Sequence, residues 1–334
     1  MIPRAYRGVG FVVALFVLVQ LGALALVPEF VESGYQPVEN PQDPTNSVLY
    51  IAAILVMTAL MLAAFKYEFD WAVRLVIVGT SAWLSWYVFS ALFSPVLAAV
   101  PALAVGVALL VHPEWYVIDT AGVLMGAGAA GLFGISFGVL PALVLLSLLA
   151  VYDAISVYGT EHMLSLAEGV MDLNIPVVLV IPLSLSYSLL DDREGESMEA
   201  GEAAEADEAA EAGETAEAGE AAETEAEAPD IEDRDAFFIG LGDAVIPAVL
   251  VASAATFLPE AGALDVPLIG LNLPALGAMV GTVAGLLVLM SWVMKGRAHA
   301  GLPLLNGGAI AGFLLGSVAA GIPLLEAVGL ARFL

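Results

Sequence analysis

The chain has 334 residues, 60% of them hydrophobic and 13% charged, with a mean hydropathy of +0.92. That balance excludes an ordinary water-soluble domain, and the absence of cysteine excludes disulfides, thiolate metal sites and a Cys nucleophile. A net charge of −27 argues against nucleic-acid binding, and an acidic, Lys-poor surface suits the salt-rich cell of a halophile, where repulsion between carboxylates is screened.

Apolar runs of about 20 residues, roughly 30 Å as helix, recur along the chain and predict an all-α polytopic membrane protein. Nine spans are expected, near residues 8–27, 48–65, 71–93, 95–112, 117–135, 138–158, 236–258, 274–294 and 302–322. The opening Met1-Ile2-Pro3-Arg4-Ala5-Tyr6-Arg7 is similar to a signal-peptide n-region. No small-residue cleavage site follows the apolar run, so it reads as a retained first helix. Residues 28–47 form an acidic, Pro-bearing outer loop. Residues 159–235 form a polar loop whose acidic tether, 191–235, holds 20 of the 36 Asp and Glu. Its Glu/Ala/Gly-rich stretch 194–229 is low in complexity and is expected to be a solvated linker. The chain thus divides into a six-helix part (1–158), the loop, and a three-helix part (236–334).

Nine spans with a cytoplasmic N-terminus place Arg4, Arg7, Lys66, Arg74, Arg193, Arg234, Lys295 and Arg297 inside and only Arg332 outside. A tenth span over 175–190 would reduce that bias to five against four, so it is rejected. Two prolines there bracket Val177-Val178-Leu179-Val180-Ile181, whose β-branched residues favour a short strand. Small residues recur at helical spacing at Gly277, Gly281 and Gly285, at Gly308, Gly312 and Gly316, and through 126–134. Such faces let helix backbones approach closely in lipid. Intrachain packing is the expected use, with a homo-oligomer face as the other.

Acidic residues within spans are rare and usually functional. Asp119, close to Pro113-Glu114, reads as interfacial, which leaves Asp153 and Asp243. Asp153 lies roughly 7 Å from the inner end of the sixth span and Asp243 roughly 10 Å past the inner start of the seventh. The two carboxylates therefore come to similar depth on helices adjacent in sequence. Two close carboxylates cannot both ionise cheaply and share a proton. One can then take a proton from water while the other serves a carbonyl oxygen. Position alone also allows an interhelical hydrogen bond from a protonated Asp, or a channel or carrier site with Asp153 and Asp243 as ligands to Ca²⁺ or Na⁺.

Tyr152-Asp153 and Gly240-Leu241-Gly242-Asp243 resemble the YD and GxGD motifs of the presenilin and signal peptide peptidase family of intramembrane aspartyl proteases. The family's third motif, Pro-Ala-Leu before the last helix, is matched as Pro303-Leu304-Leu305, with Leu304 in place of Ala. The nine-span order, the polar loop after the sixth span, Tyr158–Met163 and residues 177–182 are also similar, so the resemblance runs from about 138 to 322. It implies that Asp153 and Asp243 are the catalytic pair, that no cofactor or metal is used, and that the substrates are single-span membrane proteins or signal-peptide remnants in the bilayer. It also favours action without obligate protein subunits.

Beside that motif set, Gly240 and Gly242 would let a substrate backbone approach Asp243. Leu241 is expected to face the cleft, and Tyr152 to pack or hydrogen-bond beside the pair. Pro303, Leu304 and Leu305 are expected to shape one wall. A helical substrate must unwind before water can attack, and the strand containing Val178, Leu179 and Val180 is the expected edge to hold it extended. The resemblance, with a cytoplasmic N-terminus, predicts a preference for substrates whose N-terminus lies outside.

Three other readings fall away. Gly134-Ile135-Ser136-Phe137-Gly138 matches GxSxG but joins two apolar helices without a His partner, the histidines being His112, His162 and His299 near span ends. No HExxH is present. Prepilin peptidases carry a basic residue after GxGD, whereas Ala244 follows here.

Overall fold

A computed structural model of the chain describes residues 4–67, 69–160, 177–184, 187–192, 236–264, 266, 269–294 and 300–331. Residues 193–235 of the acidic tether, His162, His299 and the basic residues Arg193, Arg234, Lys295, Arg297 and Arg332 lie outside the described residues.

The apolar runs fold as helices α1 (Arg4–Glu32), α2 (Thr45–Lys66), α3 (Asp70–Ser90), α4 (Pro95–Val111), α5 (Trp115–Ser136) and α6 (Val139–Ile155). After strands β1 (Val178–Pro182) and β2 (Ala236–Gly240) comes α7 (Leu241–Phe257). A two-residue ribbon, β3 (Ala263–Leu264) with β4 (Leu271–Asn272), leads to α8 (Leu273–Val293), α9 (Leu302–Ala319) and the short α10 (Leu324–Ala327). Seven helices are long and apolar enough to cross a membrane, α6 among them because its closing turn carries it on to Tyr158; α4 and α7, at 17 residues, are shorter apolar helices. The architecture is mostly helical and of an integral membrane protein, with two small ribbons, the first containing the short strand expected over 177–181.

Helix ends follow local chemistry. Helix α1 runs past the expected residue 27, through Pro28, and stops where Gly34 takes φ +69°. There the Tyr35 amide bonds the Phe30 carbonyl (3.0 Å) and the Gly34 amide the Val31 carbonyl (3.2 Å), a left-handed glycine cap that satisfies the last turn. Helix α8 starts at Asn272, whose side chain accepts from the Ala275 amide at 2.8 Å. Proline in the first turn of α4, α8 and α9 costs no hydrogen bond, because those amides have no intrahelical partner.

The run 236–258, expected as one helix, is divided. Its first five residues, AFFIG, form β2 and pair antiparallel with β1, Val178 opposite Gly240 and Pro182 opposite Ala236. Aromatic and β-branched residues fit a pleated strand, and β1 supplies the backbone partners. Helix α6 is regular to Ile155 and continues in a π-helical turn, Ser156–Thr160, so its apolar span reaches Tyr158 as expected.

Helices α5 and α7 form the interior. Leu241 and Val245 of α7 and Val19 of α1 all pack onto Gly126 of α5, and most of α7 is buried. Helix α8 lies against α9, with Gly277, Gly281 and Gly285 meeting the backbones of Gly312, Gly308 and Leu304 in turn. Both stripes and the small residues of α5 are thus spent on intrachain contacts. Helix α2 stands at the periphery, where Ser47 is its one buried residue.

Candidate active site

Asp153 is on the last turn of α6 and is 5% exposed. Asp243 is in the first turn of α7, behind Gly240 at the N-cap, and is half-buried. The N-terminal turn of a helix favours a carboxylate, because its amides point outward without partners. One turn on, Pro247 removes the amide that would otherwise bond the Asp243 carbonyl.

The start of α9 joins the two carboxylates. The Leu302 amide donates to Asp153 Oδ2 at 3.0 Å. A Cβ placed on the adjacent Gly301 would lie 3.0 Å from Asp243 Oδ2 and 3.3 Å from its Oδ1. Two consecutive backbone units thus touch both aspartates, and the position beside Asp243 has no room for a side chain without displacing the carboxylate. The Ala300 amide donates to Tyr158 Oη (3.3 Å), so the π-helical turn after Asp153 is tied to the same loop.

The other expected site residues distribute as follows. Gly240 borders Asp243, at 3.7 Å from a Cβ to Oδ2, and Gly242 faces open space. Leu241 does not face the cleft. It is 4% exposed and packs inward on Gly126, while its amide continues the ribbon by donating to the Val177 carbonyl at 2.8 Å. Tyr152 is exposed beside Asp153. Pro303 sits in the first turn of α9, with Leu304 half-buried and Leu305 fully buried.

The residues Val178, Leu179 and Val180 do form a strand, but not an open edge. Alternate residues of an antiparallel strand turn both main-chain groups to the same side. The Leu241–Val177 bond sets residues 177, 179 and 181 toward β2, so Val178, Val180 and Pro182 turn away. On that side the Val180 amide donates to Asp119 Oδ1 of α5 at 2.8 Å. The edge left over belongs to β2, at Ala236, Phe238 and Gly240. It borders a cavity of about 370 Å³ lined also by Asp243, Met290, Val293 and Gly301.

Sequence reasoning missed three side chains. Asp119, read as interfacial, is 4% exposed and bound to β1. Glu114 accepts from Ser188 Oγ (2.7 Å) and the Leu189 amide (3.1 Å), holding the segment after β1. Asn306, fully buried, donates to the Leu146 carbonyl of α6 (2.9 Å), two turns before Asp153. An amide within an apolar run was the available signal for Asn306. For Asp119 and Glu114 the partners are too far away in sequence to be seen. Among the described residues no group of three or more His, Cys, Asp or Glu gathers to hold a metal ion.

The chain is similar to known proteins over most of its length. The family described as signal-peptide peptidase, presenilin aspartyl protease matches residues 13–322. A solved structure of a presenilin family intramembrane aspartate protease in space group C222 is 31% identical, with TM-score 0.61, covering 93% of this chain and 99% of that one. Another, in space group P2, is 31% identical with TM-score 0.56, covering 92% and 96%. No curated protein matches. With nearly the whole chain matched, and with the fold shared, the protein belongs to the signal-peptide peptidase and presenilin family and is an intramembrane aspartic endopeptidase.

Proposed function

We propose that Asp153 and Asp243 are the catalytic pair that hydrolyses peptide bonds of single-span membrane proteins or signal-peptide remnants. The observation that carries this is the Gly301–Leu302 backbone, which touches both carboxylates. The Leu302 amide, at the N-terminus of α9, suits a charged Asp153. Asp153 then takes a proton from water as the hydroxide adds to the scissile carbonyl carbon. Asp243 gives its proton to the carbonyl oxygen, and a gem-diol forms. On collapse Asp243 recovers a proton from the diol and Asp153 protonates the amide nitrogen as the C–N bond breaks. Both groups return to their starting states.

The substrate strand is best placed on β2, not on β1 as the sequence suggested. Ala236, Phe238 and Gly240 offer main-chain groups toward the cavity beside Asp243, the arrangement β-augmentation requires. Counting the shorter apolar helices α4 and α7 as spans gives nine crossings. The basic residues then favour a cytoplasmic N-terminus and loop, and substrates with an external N-terminus. The glycine faces are already occupied within the chain, which supports action without obligate subunits.

Purified protein incubated with single-span substrates tests the pair. Asp153→Ala or Asp243→Ala should lower cleavage by at least about 10⁴-fold, and a transition-state-analogue aspartic protease inhibitor should block the wild type. Cleavage persisting in either variant would remove the pair from the mechanism.

A further inference from the structure

The catalytic pair leaves one buried carboxylate unused. Asp119 lies near the start of α5, is 4% exposed, and belongs to an otherwise apolar and glycine-rich helix. Its Oδ1 accepts from the Val180 amide. Its Oδ2 is buried, with no hydrogen-bond partner among the described residues. A carboxylate in such a place is costly unless its one bond does something that an apolar side chain cannot. Without it the amide of Val180, itself 2% exposed, would be buried with no acceptor. Pro182, on the same side of β1, has no amide to satisfy. Asp119 is therefore the polar clamp on the α5 side of the strand.

We infer that Asp119 is a positioning residue for the proteolytic reaction: it fixes the height of the β1–β2 ribbon against α5, and so selects which peptide bond of a β2-bound substrate reaches the aspartates. The inference rests on the proposed use of the β2 edge. The ribbon is held by main-chain bonds along its length, and among the described residues one side-chain bond, from the Val180 amide to Asp119, fixes it to α5. The ladder continues without a break from Val177 into Leu241, two residues before Asp243. A shift of the ribbon against α5 is thus felt at the dyad as a change in register, by single residues, because strand pairing moves in such steps.

The test is the pattern of cut positions, read by mass spectrometry of products from one single-span substrate cleaved by the purified full chain. Asp119→Asn keeps an oxygen acceptor for the Val180 amide and should retain the wild-type cut positions and at least about half the rate. Asp119→Leu removes the acceptor, and Val180→Pro removes the donor on the strand face that β2 does not use. Both should shift the main cut by one residue or more and lower kcat/KM about tenfold, with binding of the transition-state-analogue inhibitor retained. Retained inhibitor binding with cleavage abolished also supports the inference, since the substrate edge and not the dyad has been displaced. Unchanged cut positions in either active variant overturn it. So does loss of inhibitor binding in both, which leaves Asp119 with a folding role only. If the wild type does not cut the substrate at all, the protease reading fails rather than this refinement of it.

Discussion

Helices α8 and α3 are both apolar and of equal length, 21 residues, and both contain glycine, but their glycines have opposite surroundings. A Cβ at Gly281 of α8 would overlap the Gly308 carbonyl of α9 and crowd Gly312, whereas a Cβ at Gly79 of α3 would meet nothing within 4 Å. The contact between α8 and α9 is therefore backbone on backbone. It sets where α9 begins, and with it the Gly301–Leu302 segment that joins the aspartates. Helix α3 faces outward at Gly79 and positions nothing at the site. Composition treats these glycines alike, but only one kind has its size dictated by a neighbour.

The largest effect is expected from Gly281→Val. The added side chain can be accommodated only by separating α8 from α9, and the neighbours are main-chain atoms that cannot rotate away. A loss of more than about 4 kcal/mol is expected, seen as failure to recover folded protein in detergent or as a collapse of the thermal transition. Recovery of a Val variant with wild-type stability would show that the pair is not in backbone contact.

An intermediate effect is expected one step nearer the chemistry, from Gly301→Ala. Here the atom met is a carboxylate oxygen of Asp243 at 3.0 Å, and a side chain can move a few tenths of an ångström where a backbone cannot. Folding should survive, with a thermal midpoint close to wild type. Cleavage should fall about tenfold to a hundredfold, because a small misplacement of a reacting group is expensive in rate. Equal losses of stability and rate would instead class Gly301 with Gly281.

The same distinction explains what was legible in the sequence. Asp153, Asp243 and Pro303 stood out because their residue types are costly or conformationally restrictive within apolar runs, and the three motifs occur in order. The strand at Val178–Pro182 was legible because prolines bracket β-branched residues. Its partner was not: Ala236–Gly240 alternates between buried and open positions, but its open positions are apolar or glycine and the run continues into α7, so the residue types carry no polar–apolar period to separate a strand from a helix. Leu241 was expected in the cleft from its place between Gly240 and Gly242, although it turns inward to Gly126. Asp119 was placed at the interface by its distance from the helix end, a measure that cannot reveal a strand folded back over that end. Close-packing faces were visible as glycine spacing, but the pairing of Gly277 with Gly312 and of Gly281 with Gly308 depends on how α8 and α9 are turned toward each other.

The smallest effect, and the sharpest control, is expected from Gly79→Ala. The methyl group enters open space on the outer face of α3, so no contact is lost and none is forced. What changes is the backbone. Glycine in a helix interior loses more conformational freedom on folding than alanine does, which amounts to roughly 0.5–1 kcal/mol. The variant should therefore melt slightly above the wild type in the same detergent and cleave with unchanged rate and cut positions. The sign is the informative part: alanine stabilises where a glycine serves no neighbour, and destabilises where the missing side chain makes room for one. A lower melting point for Gly79→Ala would mean that α3 has a close partner on that face and that the periphery is packed more like the α8–α9 pair.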